Sequence, residues 1–194
     1  MLIGICGGIG SGKSVVSRVL RQMGMTVYDC DAEARRIMNS DPGIKSRIRD
    51  EISADVTDGE SAPDRKLLAD IVFSNEEARK RLNVIVHGAV RSDLEEKRRP
   101  LMWVEAAILA ESGIADMCDE IWSVESPPDI RIRRIVARDK IAPRMALKRI
   151  ASQAAEERML RKFDKIVKVV HNDEFHSILA QVENLLKDID IAAR

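Results

Sequence analysis

Apolar positions along the 194-residue chain alternate between short continuous runs and helical spacing. The first run, Leu2-Ile3-Gly4-Ile5-Cys6, has the length and continuity of a strand buried on both faces. Val15, Val16, Val19, Leu20 and Met23 then recur three and four apart, which predicts an amphipathic helix. Met25-Thr26-Val27-Tyr28 predicts a second strand; it ends in Asp29-Cys30-Asp31, where a helix carrying Ala32, Ala34 and Ile37 begins. Pro42-Gly43 reads as a turn, Ile44, Ile48 and Ile52 as one apolar stripe, and the acidic, small-residue stretch 53–63 as a surface loop. Leu67, Leu68, Ile71 and Val72 define a further helix opened by Asp64. Ser74-Asn75-Glu76-Glu77 has the capping-box pattern. It precedes a long helix through Leu82, Ile85, Val86, Ala89 and Val90 that Pro100 stops.

Beyond Pro100 the alternation resumes. Leu101-Met102-Trp103-Val104, closed by Glu105, predicts a strand, as do Ile121-Trp122-Ser123-Val124 and residues 166–170. Ser126-Pro127-Pro128-Asp129 marks a helix start, and a second helix from near Pro143 carries Leu147, Ile150 and Ala154. Phe175, Ile178, Leu179, Val182, Leu185, Leu186 and Ile189 give a last amphipathic helix. Strands alternating with helices imply an α/β fold whose parallel sheet is covered on both faces, with the ligand at the strands' carboxyl ends. The helical stretch between the second and third strands is too long for a simple crossover, and a substrate-binding insert accounts for it.

Composition narrows the function classes. Lys+Arg and Asp+Glu balance at 32 each, so no overall positive field favours nucleic acid or an anionic membrane. Cys6, Cys30 and Cys118 lie far apart without metal-type spacing, the pattern of a reducing cytosol. No apolar run approaches membrane-spanning length, and the first strand begins at residue 2, leaving no room for a signal peptide. The expectation is one cytoplasmic α/β domain that binds no nucleic acid and no membrane.

The first strand and helix frame Gly7-Gly8-Ile9-Gly10-Ser11-Gly12-Lys13-Ser14, which fits G-x-x-x-x-G-K-S/T, the phosphate-binding loop. Glycines let the backbone curl with its N–H groups inward, and the helix N-terminus adds partial positive charge. A chance match in a chain of this length is roughly a one-in-a-hundred event. Gly8, Ile9, Gly10, Ser11, Gly12, Lys13, Ser14 and Val15 are therefore expected to hold a nucleoside triphosphate, with Lys13 on the outer phosphates and Ser14 on Mg²⁺. Asp31, after the second strand, is read first as a candidate general base or ligand of a Mg²⁺ water, with an N-cap as the alternative. Glu105 closes its strand as an acid near Mg²⁺ does, and Glu111 follows it. Arg131, Arg134 and Arg138 share a helix face, and Arg149 and Gln153 repeat the spacing on the next helix. Two such helices could close over ATP as a lid. The alternative is a solvated basic face partnered by Asp129 and Asp139. His87 has the setting of a structural histidine, and Trp103 and Trp122 that of core residues.

Taken together, these segments resemble the dephospho-CoA kinase family. The phosphate loop is typical of it, and Val27-Tyr28-Asp29-Cys30-Asp31 is similar to its V-I-D-A-D. Asp64-Arg65-Lys66-Leu67 with Val72-Phe73 resembles D-R-x-L…V-F, and Asn83-Val84-Ile85-Val86-His87 resembles N-x-I-x-H. Arg138-Asp139, then Arg149-Ile150-Ala151-Ser152-Gln153, are similar to R-D and R-I-x-x-Q, and Asp164 through Asn172 to A-D-x-V-I-x-N. The resemblance implies a P-loop NTPase three-layer fold: a core at about 1–30, 101–125 and 163–194, a helical substrate region at about 31–100, and a two-helix lid at about 126–162. It implies transfer of ATP's γ-phosphoryl, with Mg²⁺, to the 3′-hydroxyl of the ribose of dephospho-CoA. Asp31 falls at the position of the catalytic base beside Lys13. Arg65, His87, Glu105 and Arg149 fall on the substrate side, Arg138 and Arg149 in the lid, and Asn172 with the nucleotide. A kinase for another metabolite or nucleoside, or a P-loop switch NTPase, would use the same loop. The chain departs from the family where H-P becomes His87-Gly88 and where a glutamine becomes Arg131. It departs again where D-x-P-L-L-F-E becomes Glu105-Ala106-Ala107-Ile108-Leu109-Ala110-Glu111.

Overall fold

The computed structural model describes residues 1–160, 163 and 166–192. Strands β1 (Leu2–Cys6), β2 (Val27–Asp29), β3 (Met102–Glu105), β4 (Glu120–Glu125) and β5 (Ile166–His171) form one sheet in the order β2-β3-β1-β4-β5. β1 runs parallel to both β3 and β4, and β4 to β5, so the parallel α/β sheet expected from the alternation is present. The helices are α1 (Lys13–Gln22), α2 (Cys30–Ser40), α3 (Pro42–Glu51), α4 (Arg65–Ser74), α5 (Glu76–Glu96), α6 (Pro128–Asp139), α7 (Pro143–Ser152), α8 (Ala154–Leu160) and α9 (Ile178–Ala192). The chain divides into two compact units, Met1–Tyr28 with Arg99–Arg194, and Asp29–Arg98.

Period-2 alternation sorts the sheet's side chains onto two faces. On one face of the first unit, Ile3, Ile5, Trp103, Trp122, Val124 and Val170 pack with Val16 and Leu20 of α1 and Val182 and Ile189 of α9. The two indoles meet edge to face at 5.8 Å. On the reverse face, a side chain at Gly4 would run into Leu109 Cδ2 at 2.7 Å and Cys118 Sγ at 3.0 Å. The turn-rich segment 106–118 therefore lies directly on β1. Glu156 of α8 fastens that segment: its carboxylate accepts the N–H groups of Ala110 at 2.7 Å and Glu111 at 2.9 Å. The substitutions at Ala107 and Ala110 leave Leu109 fully buried.

The helical unit has its own core of Ile48, Val56 and Leu68, extended by Ile44, Ile52, Leu67, Ile71, Val72 and Leu82. α5 packs against α2, α3 and α4. An ion cluster ties α2 to α5: Lys97 bridges Glu33 at 2.8 Å and Asp93 at 2.9 Å, while Arg36 pairs with Glu33 and Asp93. Lys97, then Arg36, holds the Glu33 carboxyl below the usual carboxylate range.

Several local readings change. Pro42 begins α3 at its first position behind the cap Asp41, where a proline loses no helical hydrogen bond. The stretch 53–63 is not wholly surface, because Val56 is in the core and Thr57 Oγ1 bonds the Ser61 carbonyl at 2.8 Å. α5 is capped by Asn75, whose side chain accepts from Glu77 and Ala78, whereas Ser74 closes α4 by bonding the Asp70 carbonyl. On α7 the buried residue is Ala146, with Leu147 exposed. Phe175 precedes α9 and is exposed.

Where the family's proline would interrupt it, α5 runs unbroken through Gly88, and a Cβ there would meet nothing within 4 Å. Gly88→Ala is expected to stabilise the chain by about 0.5–1 kcal/mol, because alanine loses less backbone entropy in a helix. A urea midpoint unchanged or lowered by the substitution contradicts this.

Candidate active site

The phosphate loop begins where β1 stops and ends where α1 starts. Gly12 is the N-cap of α1 in a left-handed conformation, φ 96°, which an L side chain resists. A Cβ on Gly12 would also occupy the space of the Asn172 amide, and one on Gly8 that of the Arg131 guanidinium. Lys13 Nζ donates to the Gly7 carbonyl at 2.6 Å, folding the ammonium back over the loop. The first turn of α1 has no acidic residue, so its own side chains leave the helix's N-terminal partial charge unneutralised. Ser14 and Val15 are exposed there. Ser11 Oγ is buried and has no hydrogen-bond partner among the described residues.

Four side chains from the far end of the sheet and from α6 and α7 hold this loop from outside. Arg131 Nε donates to the Ile9 carbonyl at 3.0 Å, and Arg134 Nη1 to the Gly10 and Ser11 carbonyls, each at 3.3 Å. Asn172, at the end of β5, donates to the Ser11 carbonyl at 2.6 Å and accepts from Arg134 at 3.1 Å. The Ile9 N–H donates to Gln153 Oε1 at 2.5 Å. The arginine at the family's glutamine position is thus one that touches the loop. Arg138 and Arg149 instead meet on Asp139. Arg138 binds it in bidentate fashion at 2.6 and 3.0 Å, and Arg149 reaches the same carboxylate from α7. Arg138, then Arg149, holds Asp139 below the usual carboxylate range. Lys140, next in the chain, turns α6 towards α7 with φ 52°.

A cavity of about 350 Å³ opens beside the loop, lined among others by Cys6, Gly8, Ser123, Arg131, Gln153 and Glu156. Burial pushes the Cys6 thiol up to about 11, against an opposing hydrogen bond from Ser123. Cys6, Cys30 and Cys118 are all buried and none is in a disulfide. In the native state at neutral pH, Cys6 is therefore expected to resist iodoacetamide and to react once urea unfolds the chain. Because the folded value lies above the unfolded 9.0, its contribution to stability is complete below pH 9 and is lost as pH rises towards 11. Rapid native labelling at Cys6, read by mass spectrometry, would contradict the burial.

Glu105 sits level with Ile5 in the β1–β3 register, two residues before the phosphate loop opens, and is half-buried. Asp31, Arg65 and His87 belong to the helical unit. The cap of α2 is Asp29, which accepts the Ala32 N–H at 3.0 Å, and not Asp31. Asp31 lies exposed in the first turn of α2 with no ion pair or side-chain hydrogen bond among the described residues. Arg65 is the exposed first residue of α4, behind its cap Asp64, and His87 is half-buried on α5. Asp164 lies outside the described residues. Two contacts were not legible as such: Gln153 on Ile9, signalled by its place one helical turn past Arg149, and Glu156, which carries no sequence signal.

The dephospho-CoA kinase family model matches residues 1–175. The chain belongs to the dephospho-CoA kinase family. It is 35% identical over 193 residues to a dephospho-CoA kinase from Fusobacterium nucleatum, covering 97% of this chain and 98% of that one. A crystal structure of a Thermus thermophilus protein superposes with a TM-score of 0.76 at 32% identity, over 100% of this chain and 98% of the other. At 11% identity, a shikimate kinase from Bacteroides thetaiotaomicron shares the fold alone, with a TM-score of 0.60 over 98% of each chain. In this member of the dephospho-CoA kinase family, the loop at residues 7–14 opens the chain's first helix. The departures at Gly88 and Arg131 leave α5 and the loop's backbone intact.

Proposed function

We infer that the chain is an ATP-dependent kinase that phosphorylates dephospho-CoA, at the 3′-hydroxyl of its ribose, to give coenzyme A and ADP. The observation that carries this reading is a complete phosphate loop in a chain matched by the family from residue 1 to 175. The loop fits a triphosphate: Gly7, Gly10 and Gly12 take the positive φ that lets its backbone curl, and its ammonium and helix N-terminus supply positive charge.

In this mechanism the acceptor oxygen attacks the γ-phosphorus in line while the bond to the β–γ bridging oxygen breaks, and the hydroxyl proton passes to the Asp31 carboxylate. Lys13 leaves the Gly7 carbonyl for the outer phosphates, and Arg138 and Arg149 neutralise charge from the lid. Ser14 Oγ, exposed in the first turn of α1, fits a Mg²⁺ ligand, with Glu105 or Asp31 acting through water. Among the described residues no group of three His, Cys, Asp or Glu side chains could hold a metal alone, so phosphate oxygens and waters would complete its shell. When bound, the ion supplies charge neutralisation on the phosphates. Arg65 and His87 are assigned to dephospho-CoA, and Asn172 to the nucleotide side through the loop it braces. No helix among the described residues is long and apolar enough to cross a membrane, and we place the enzyme in the cytoplasm acting on this small molecule.

The test is ADP release by purified protein given ATP, Mg²⁺ and a panel of acceptors. Release that depends on dephospho-CoA supports the reading. Release with a nucleoside or another metabolite moves the substrate, and acceptor-independent hydrolysis turns the chain into a switch NTPase.

A further inference from the structure

Ile9 is held through both halves of its own backbone. Arg131 of α6 donates to its carbonyl at 3.0 Å, and its N–H donates to Gln153 Oε1 at 2.5 Å. Gln153 is the C-cap of α7, one helical turn beyond Arg149. A neutral amide oxygen therefore rests on a loop N–H of the kind that a phosphate-binding loop offers to its ligand. Ile9 lies four residues before α1, in the half of the loop remote from it, so an extended phosphate chain rooted at the helix N-terminus would reach it with its last phosphate.

We propose that Gln153 is a positioning residue that senses the donor: its side-chain oxygen stands in for the terminal phosphate and is displaced when a triphosphate arrives. This rests on the kinase reading above. Both acceptors compete for one proton donor, and the phosphate prevails because a hydrogen bond to an ionised oxygen is roughly twice as strong as a neutral one. A diphosphate stops short of Ile9 and leaves the contact in place. Displacement detaches the end of α7 from the loop, and with it the turn that carries Arg149 opposite Asp139. The chain thus registers whether a transferable phosphoryl is present before α7 is released.

The test compares Gln153→Leu and Gln153→Glu with the wild type in full-length protein, titrating a non-hydrolysable ATP analogue and ADP by calorimetry. Leucine removes the competitor, so the analogue binds about threefold to tenfold more tightly while ADP changes less than about twofold. Glutamate replaces it with a charged acceptor, so the analogue binds at least about tenfold more weakly. Both variants weakening alike, or neither moving, overturns the proposal, because a merely structural contact has no reason to give opposite signs. In the wild type, the Ile9 amide resonance should shift with the ATP analogue and stay in place with ADP. An identical shift with both also overturns the proposal, whatever the variants' folding. Wild type that binds neither nucleotide defeats the kinase reading itself, and the sensor with it.

Discussion

Lys13→Met lowers kcat/KM for ATP by about 10²–10³-fold, the usual cost of removing one preorganised donor to developing charge. Methionine keeps most of the side chain's length and apolar stem and deletes only the ammonium. Among the contacts it loses is the hydrogen bond from Nζ to the Gly7 carbonyl at a partly buried position. Such a bond contributes about 1 kcal/mol, which a two-unit globular chain of this length tolerates. Steady-state kinetics beside a urea melt separate the two effects. A near-native rate in a well-folded variant would mean that the loop's ammonium does not face the transferred phosphoryl, and the proposed chemistry would lose its principal cation.

Asp31→Asn is expected to cut kcat by about 10²–10⁴-fold with little change in KM for ATP, since it removes a general base and not a nucleotide contact. Asp29, not Asp31, accepts the Ala32 N–H at the start of α2, so the asparagine variant leaves the cap untouched. Its stability should stay within about 0.5 kcal/mol of the wild type, as for surface positions without special partners. Asp29→Ala is the matched control: it should lose about 1 kcal/mol of stability through the missing cap. If Asp31→Asn costs less than tenfold in rate, the proton has another acceptor.

The strands and the phosphate loop were legible because each is fixed by short-range chemistry. A five-residue apolar run before a glycine-rich turn and a 3.6-period helix leaves few alternatives. Caps were less legible, since neighbouring residues compete. Asp29 and Asp31, or Ser74 and Asn75, can each offer a side-chain oxygen as acceptor, and only the path of the backbone selects between them. The segment 106–118 has no period to read, because it follows the surface of β1 and is anchored by Glu156 from 45 residues further on. Arg131 matched no family letter, yet its guanidinium fills the space that Gly8 leaves by lacking a side chain. Resemblance favours positions that match; packing assigned the neighbour of a glycine to a residue that did not.

Trp103 and Trp122 meet edge to face in the core of the sheet unit, and Tyr28, the chain's single tyrosine, ends the same unit's first segment. Between Asp29 and Arg98 the only phenylalanine, tyrosine or tryptophan is Phe73. Intrinsic ultraviolet emission is consequently blind to one of the two units that can melt. A denaturation curve followed by indole fluorescence records the sheet and is silent about the four helices around Ile48 and Leu68. Far-ultraviolet dichroism sees both, and any gap between the two curves measures how independently the helical unit comes apart.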